Sequence, residues 1–80
     1  MRWRVLLFAG LRDAAGAAEL EVEVRHAGAC VADLRAAAEV LCPALARHTY
    51  RVAIEARYAG DAEALPAAAE IAFLPPVSGG

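Results

Sequence analysis

The sequence predicts an α+β fold, a mixed sheet of four to five strands with one main helix laid across one face. Three observations carry that expectation. At 80 residues the chain has room for one sheet and one good helix, because a chain of this size buries only about 60% of the surface its unfolded form exposes. Glu19-Leu20-Glu21-Val22-Glu23-Val24-Arg25 alternates without a break, as a strand with one wet face does. Val31, Leu34, Ala38, Leu41 and Leu45 recur at spacings of three and four, which puts them on one helical stripe. A lone stripe of this kind has only the sheet to bury itself against.

The elements follow in order. Arg2 to Ala9 reads as a strand with Trp3, Val5 and Leu7 on one face. Gly10 to Ala18 reads as a loop, with glycines at 10 and 16. That connection is too short for a parallel crossover, so the first two strands form an antiparallel hairpin. His26 to Ala29 is a turn. The helix runs from Val31 to Leu41, with Asp33 at its positive end and Cys30, a poor cap, before it. Pro43 stops it, and an irregular turn up to His48 carries Leu45 back to the core. Arg51 to Glu55 is a third strand, Arg57 to Ala59 a short fourth, Asp61 to Ala69 a loop, and Glu70 to Leu74 the last strand. Pro75-Pro76 ends it, since proline donates no ladder hydrogen bond. The expected core is Trp3, Val5, Leu7, Val22, Leu34, Leu41, Leu45, Val52, Ile54, Ile71 and Phe73. Residues 1–74 thus form the domain, and 75–80 an extended, flexible tail.

Composition excludes several classes. The chain is 60% hydrophobic, but it holds 22 alanines against five aromatic residues, so its burial rests on few large side chains. Net charge is −2, and no basic stripe with interleaved aromatics suggests nucleic acid. All eight cations are arginine, so no lysine amine is present. The apolar run Val5 to Leu11 after Met1-Arg2-Trp3-Arg4 is too short for a signal peptide or a membrane span. A cytoplasmic protein is expected. Cys30 and Cys42, twelve apart, match no metal or redox spacing and read as small hydrophobes.

Side-chain chemistry is sparse. The hydroxyls are Thr49, Tyr50, Tyr58 and Ser78. His26 and His48 fall in loops outside any cluster of ligands. Glu19, Glu21 and Glu23 are the wet face of a strand, and Gly10-Leu11-Arg12-Asp13 lacks a phosphate-cradling pattern. What remains is Leu74-Pro75-Pro76-Val77-Ser78-Gly79-Gly80. The prolines favour an extended exit from the sheet, and the six residues from Pro75 reach about 20 Å. Gly79 and Gly80 have no Cβ, so they can thread a narrow channel and leave the last carbonyl carbon unhindered. A carboxylate must be activated, for instance as an acyl-adenylate, before sulfur or nitrogen can attack it.

The order strand, strand, helix, strand, short strand, strand resembles the β-grasp of ubiquitin-like proteins. Glu70-Ile71-Ala72-Phe73-Leu74-Pro75-Pro76-Val77-Ser78-Gly79-Gly80 resembles the terminal signature of the small, sulfur-carrying subunit of molybdopterin synthase. Val5-Leu6-Leu7-Phe8-Ala9-Gly10-Leu11-Arg12-Asp13 is similar to that family's first strand and the arginine-bearing loop after it. The resemblance implies that an adenylating enzyme, related to those that charge ubiquitin, uses ATP to activate Gly80. A sulfur donor protein then makes the thiocarboxylate. The tail enters the large synthase subunit and gives its sulfur to cyclic pyranopterin monophosphate, in a heterotetramer and in molybdenum cofactor biosynthesis. It makes the chain a non-catalytic sulfur donor within an enzyme complex; no bound cofactor is expected, nor, from the composition above, a membrane or nucleic-acid partner. Gly80 is then the acyl carrier and Gly79 its clearance. Phe8, Tyr58 and Leu74 match the family's exposed apolar patch, Arg12 its loop arginine, and Pro75, Pro76 and Val77 enter the same partner contact. Two departures stand out: Ala67-Ala68-Ala69 replaces an Asp-Gly-rich turn, and Glu55 stands where asparagine is common. A carrier for thiazole synthesis and a ubiquitin-like protein modifier remain alternatives.

Overall fold

The computed structural model describes residues 1–76. Its sheet has five strands: β1 (Arg2–Leu7), β2 (Glu19–Glu23), β3 (Arg51–Ile54), β4 (Arg57–Ala59) and β5 (Ile71–Leu74). They lie in the order β2-β1-β5-β3-β4, with β5 parallel to β1 and the other neighbours antiparallel. This is the expected mixed sheet and the β-grasp arrangement. One long helix, spanning Val31–Leu41, crosses one face.

Alternation decides which face is covered. Trp3, Val5 and Leu7 on β1, Val22 on β2, Val52 and Ile54 on β3, and Ile71 and Phe73 on β5 are all buried. Val31, Leu34 and Ala38 on the helix meet them with no exposed surface. Leu45 completes the cluster from a 3₁₀ turn over Pro43–Arg47. Phe73 is wholly buried in the middle of the sheet, its ring 4.7 Å from that of Tyr50. The Trp3 indole nitrogen donates to the Pro66 carbonyl at 2.9 Å, which fixes the loop before β5 over the end of the core.

Three expectations need correction. Gly10–Ala15 is a short helix, α1, and not loop; it buries Leu11 and closes on Gly16 in the left-handed conformation. Leu41 is 59% exposed. The stripe passes from Ala38 to Cys42, four residues on, which packs against the core in its place. Tyr50 belongs to the core at 5% exposure. Its hydroxyl donates to Glu39 at 2.6 Å, and burial followed by that carboxylate pushes its pKa up to about 12.

The long helix, now α2 (Val31–Leu41), is capped better than Cys30 suggests. The Cys30 backbone N–H and thiol both donate to the Asp33 carboxylate, at 2.9 and 3.2 Å. Those two bonds, with His26 nearby, hold the Asp33 carboxyl below its ordinary value. The segment after β4 supplies the rest. The carbonyls of Glu63 and Asp61 accept from the N–H groups of Val31 and Ala32, at 2.9 and 3.0 Å. These donors would otherwise be orphans of the first helical turn.

Both departures from the family pattern fall at positive φ. Glu55 (φ 50) and Ala56 (φ 67) are the central pair of the β3–β4 turn, and Ala68 (φ 58) lies in the turn before β5. Asparagine and glycine suit such positions, whereas a Cβ there costs about 1–2 kcal/mol. Ala56→Gly should therefore stabilise the domain by about 1 kcal/mol, raising Tm by about 4–8 °C. Thermal unfolding followed by circular dichroism checks this, and an unchanged or lower Tm would contradict the strain.

Candidate functional site

The side chains that alternate away from the core form the open face of the sheet, which α2 does not cover. Its two halves differ in chemistry. On the β2–β1 half, Arg2 pairs with Glu21 at 3.2 Å and Arg4 with Glu19 at 3.5 Å. These pairs are exposed, and pairs of this kind contribute about 0–1 kcal/mol each. On the β5–β3–β4 half, the outward residues are Ala72 and Leu74, Arg51 and Ala53, and Tyr58.

A shallow groove runs across this second half. Leu6 and Phe8 line it from β1 and just beyond, Ala72 and Leu74 from β5, Ala53 from β3, and Ala56 and Tyr58 from the β3–β4 turn and β4. Phe8 is 42% exposed and Tyr58 47%. Register explains why residues so distant in sequence meet. Because β5 runs parallel to β1 with Leu7 beside Phe73, Phe8 and Leu74 emerge at the same end of the sheet. Tyr58 faces Ala53, which in turn faces Ala72. Arg51 lies opposite Leu74, and its guanidinium carbon sits 4.1 Å from the centre of the Tyr58 ring.

Phe8, Tyr58 and Leu74 therefore lie together on the open face. Pro75 and Pro76 follow Leu74 directly and are exposed. Arg12 is also exposed, but it sits on α1 and does not line the groove. Val77, Gly79 and Gly80 lie outside the described residues. Sequence reasoning missed Leu6, Ala53, Ala72 and Arg51. Period-two alternation could have found them, since each shares a face with a residue already assigned outward.

The groove's chemistry is that of a contact surface. Its lining offers one carboxylate, Glu70, and one phenol, Tyr58, with no nucleophile–base pair. Among the described residues no group of three or more His, Cys, Asp or Glu could hold a metal ion, and Cys30 and Cys42 are unpaired thiols, each partly buried. No helix among the described residues is long and apolar enough to cross a membrane.

Comparison with known proteins gives a consistent picture. The ThiS family model matches residues 5–80. No curated protein sequence matches the chain. The crystal structure of SAMP1 from Haloferax volcanii is 32% identical, with a TM-score of 0.86 over 100% of both chains. A Pyrococcus furiosus structure assigned provisionally as molybdopterin converting factor, subunit 1, is 25% identical. It gives a TM-score of 0.86 over 96% of this chain and 99% of its own. The solution structure of small archaeal modifier protein 1 from Methanosarcina acetivorans is 29% identical, with a TM-score of 0.77 over 99% of this chain and 96% of its own.

Proposed function

The chain belongs to the ThiS family of ubiquitin-like sulfur carriers, and from that premise we propose that it is the sulfur-carrier subunit of molybdopterin synthase. The observation that carries this reading is the exit of the sheet's middle strand. β5 leaves through Pro75-Pro76 beside the exposed apolar groove, and the family match continues from there to Gly80. The groove docks a partner and the tail delivers the reacting atom into it.

Each step uses Gly80 as substrate. A carboxylate oxygen attacks the α-phosphorus of ATP on an activating enzyme, and pyrophosphate leaves. Hydrosulfide delivered by a donor protein then attacks the acyl carbon and displaces AMP, leaving a thiocarboxylate. In the large synthase subunit that sulfur bonds to cyclic pyranopterin monophosphate, and water then cleaves the acyl–sulfur bond and restores the Gly80 carboxylate. Phe8, Tyr58 and Leu74 hold the partner, Arg12 contacts its rim, and Pro75, Pro76 and Val77 line the path to Gly79 and Gly80. The work is cytoplasmic, where ATP and these partners are.

A second reading is favoured by the likeness to SAMP1, whose name is that of a modifier protein. The same activated glycine would then join lysines of other proteins. This chain has no lysine of its own, so it could not build side-chain-linked chains. Intact mass spectrometry after incubation with the activating enzyme, ATP and a sulfur source separates the two. Replacement of one terminal oxygen by sulfur supports the carrier, and co-purification with a large synthase subunit assigns the pathway. Isopeptide adducts on other proteins, with no sulfur gained, would overturn it in favour of the modifier.

A further inference from the structure

Arg51 is the charged residue of the open face whose setting the groove alone does not explain. It opens β3 directly opposite Leu74, the last residue of β5 before the proline pair. Its guanidinium carbon lies over the Tyr58 ring, 4.1 Å from the centroid. Arg2, Arg4, Arg25, Arg35 and Arg57 each have a carboxylate within ion-pair distance, whereas Arg12, Arg47 and Arg51 have none among the described residues, and of these three only Arg51 lies on the open face of the sheet. A guanidinium held by its central carbon over a ring keeps N–H donors free for a partner. Arg51 thus combines two features. It fixes the orientation of a half-exposed ring on a three-residue edge strand, and it offers donors beside the root of the tail.

We propose that Arg51 is a specificity-determining residue for docking, which pins Tyr58 and pairs with a carboxylate side chain on the activating enzyme. The inference rests on the carrier reading given above. The anion is assigned to a protein carboxylate and not to the nucleotide on grounds of reach. The six residues from Pro75 to Gly80 span about 20 Å when extended, which carries the adenylate phosphates well away from Arg51. Bidentate geometry suits a planar carboxylate. The complementary enzyme surface therefore presents a bulky apolar side chain over Ala53 and Ala72, with an Asp or Glu at the Tyr58 side.

The test measures thiocarboxylate formation by intact mass, using the full chain with the activating enzyme, ATP and sulfide, over a range of carrier and salt concentrations. Arg51→Ala should raise KM for the carrier about tenfold, the loss of one charge-assisted contact, with kcat unchanged. It should also flatten the dependence of KM on ionic strength. Arg51→Glu should raise KM further. Arg51→Lys should keep the salt dependence while recovering only part of the affinity, because an ammonium neither stacks nor forks. Tm of all three should stay within a few degrees of the parent, as for other surface substitutions. Wild-type KM and salt dependence in both Arg51→Ala and Arg51→Glu would overturn the inference while leaving the carrier reading standing. A parent chain that gains no sulfur would overturn both.

Discussion

Removal of Gly80 is expected to abolish sulfur loading, by at least about a hundredfold, while Tm stays where it is. The first half follows from reach. Each residue of extended chain contributes about 3.3–3.6 Å, and in-line attack on a phosphorus needs the reacting atoms about 3–3.5 Å apart. Docking through the groove fixes the root of the tail, so a chain one residue shorter leaves its carboxylate a full contact distance from the nucleotide. A misplacement of only 1 Å can cost about a hundredfold. The second half follows from the core. Among the described residues every buried one lies between Trp3 and Phe73, and Gly80 has no side chain to contribute to a core. Mass spectrometry of the loaded product together with a thermal melt checks both. Loading at the parental rate would mean that Gly80 is not the acyl carrier.

How far the sequence could be read depended on how often its patterns repeat. The unbroken alternation from Glu19 to Arg25 placed β2 on the correct face, and the stripe from Val31 placed α2 with its observed limits. Both patterns run long enough for period and phase to be unambiguous. The six-residue α1 is shorter than two helical turns, begins at Gly10 and has no capping side chain on Ala9, so no periodicity announced it. Leu41 failed for a related reason. At the end of a helix, positions three and four residues after Ala38 compete for the core, and Cys42 took the place of the larger residue. The conformation of 61–65 was illegible because backbone carbonyls, which every residue carries, do its capping of α2. The site divides the same way. Phe8 could be read as outward from alternation, but its meeting with Tyr58 and Leu74 depends on β5 lying between β1 and β3, parallel to the first and antiparallel to the second, a long-range pairing that no local pattern encodes.

That central position of β5 makes Phe73→Ala the substitution with the largest expected effect on stability. Phe73 has no exposed surface, lies between Leu7 on β1 and Val52 on β3, and stacks on Tyr50. Replacing a buried phenylalanine by alanine costs about 3–5 kcal/mol, the transfer loss plus the cavity left behind. An 80-residue domain has roughly 4–12 kcal/mol in all, so much of its stability goes at once. Tm should fall by roughly 12–40 °C, whereas Phe73→Leu, which keeps most of the volume, should cost under about 1.5 kcal/mol. Leu74, one residue on, faces the groove and is half-buried. Leu74→Asp is therefore the contrasting variant, expected to weaken partner docking with a much smaller change in Tm. Neighbouring residues on one strand then separate folding from function, because their side chains point to opposite faces. Chemical denaturation of Phe73→Ala measures the first effect. A loss below about 1 kcal/mol would show that the sheet's middle strand is not held as its burial implies, and with it the anchoring of the tail.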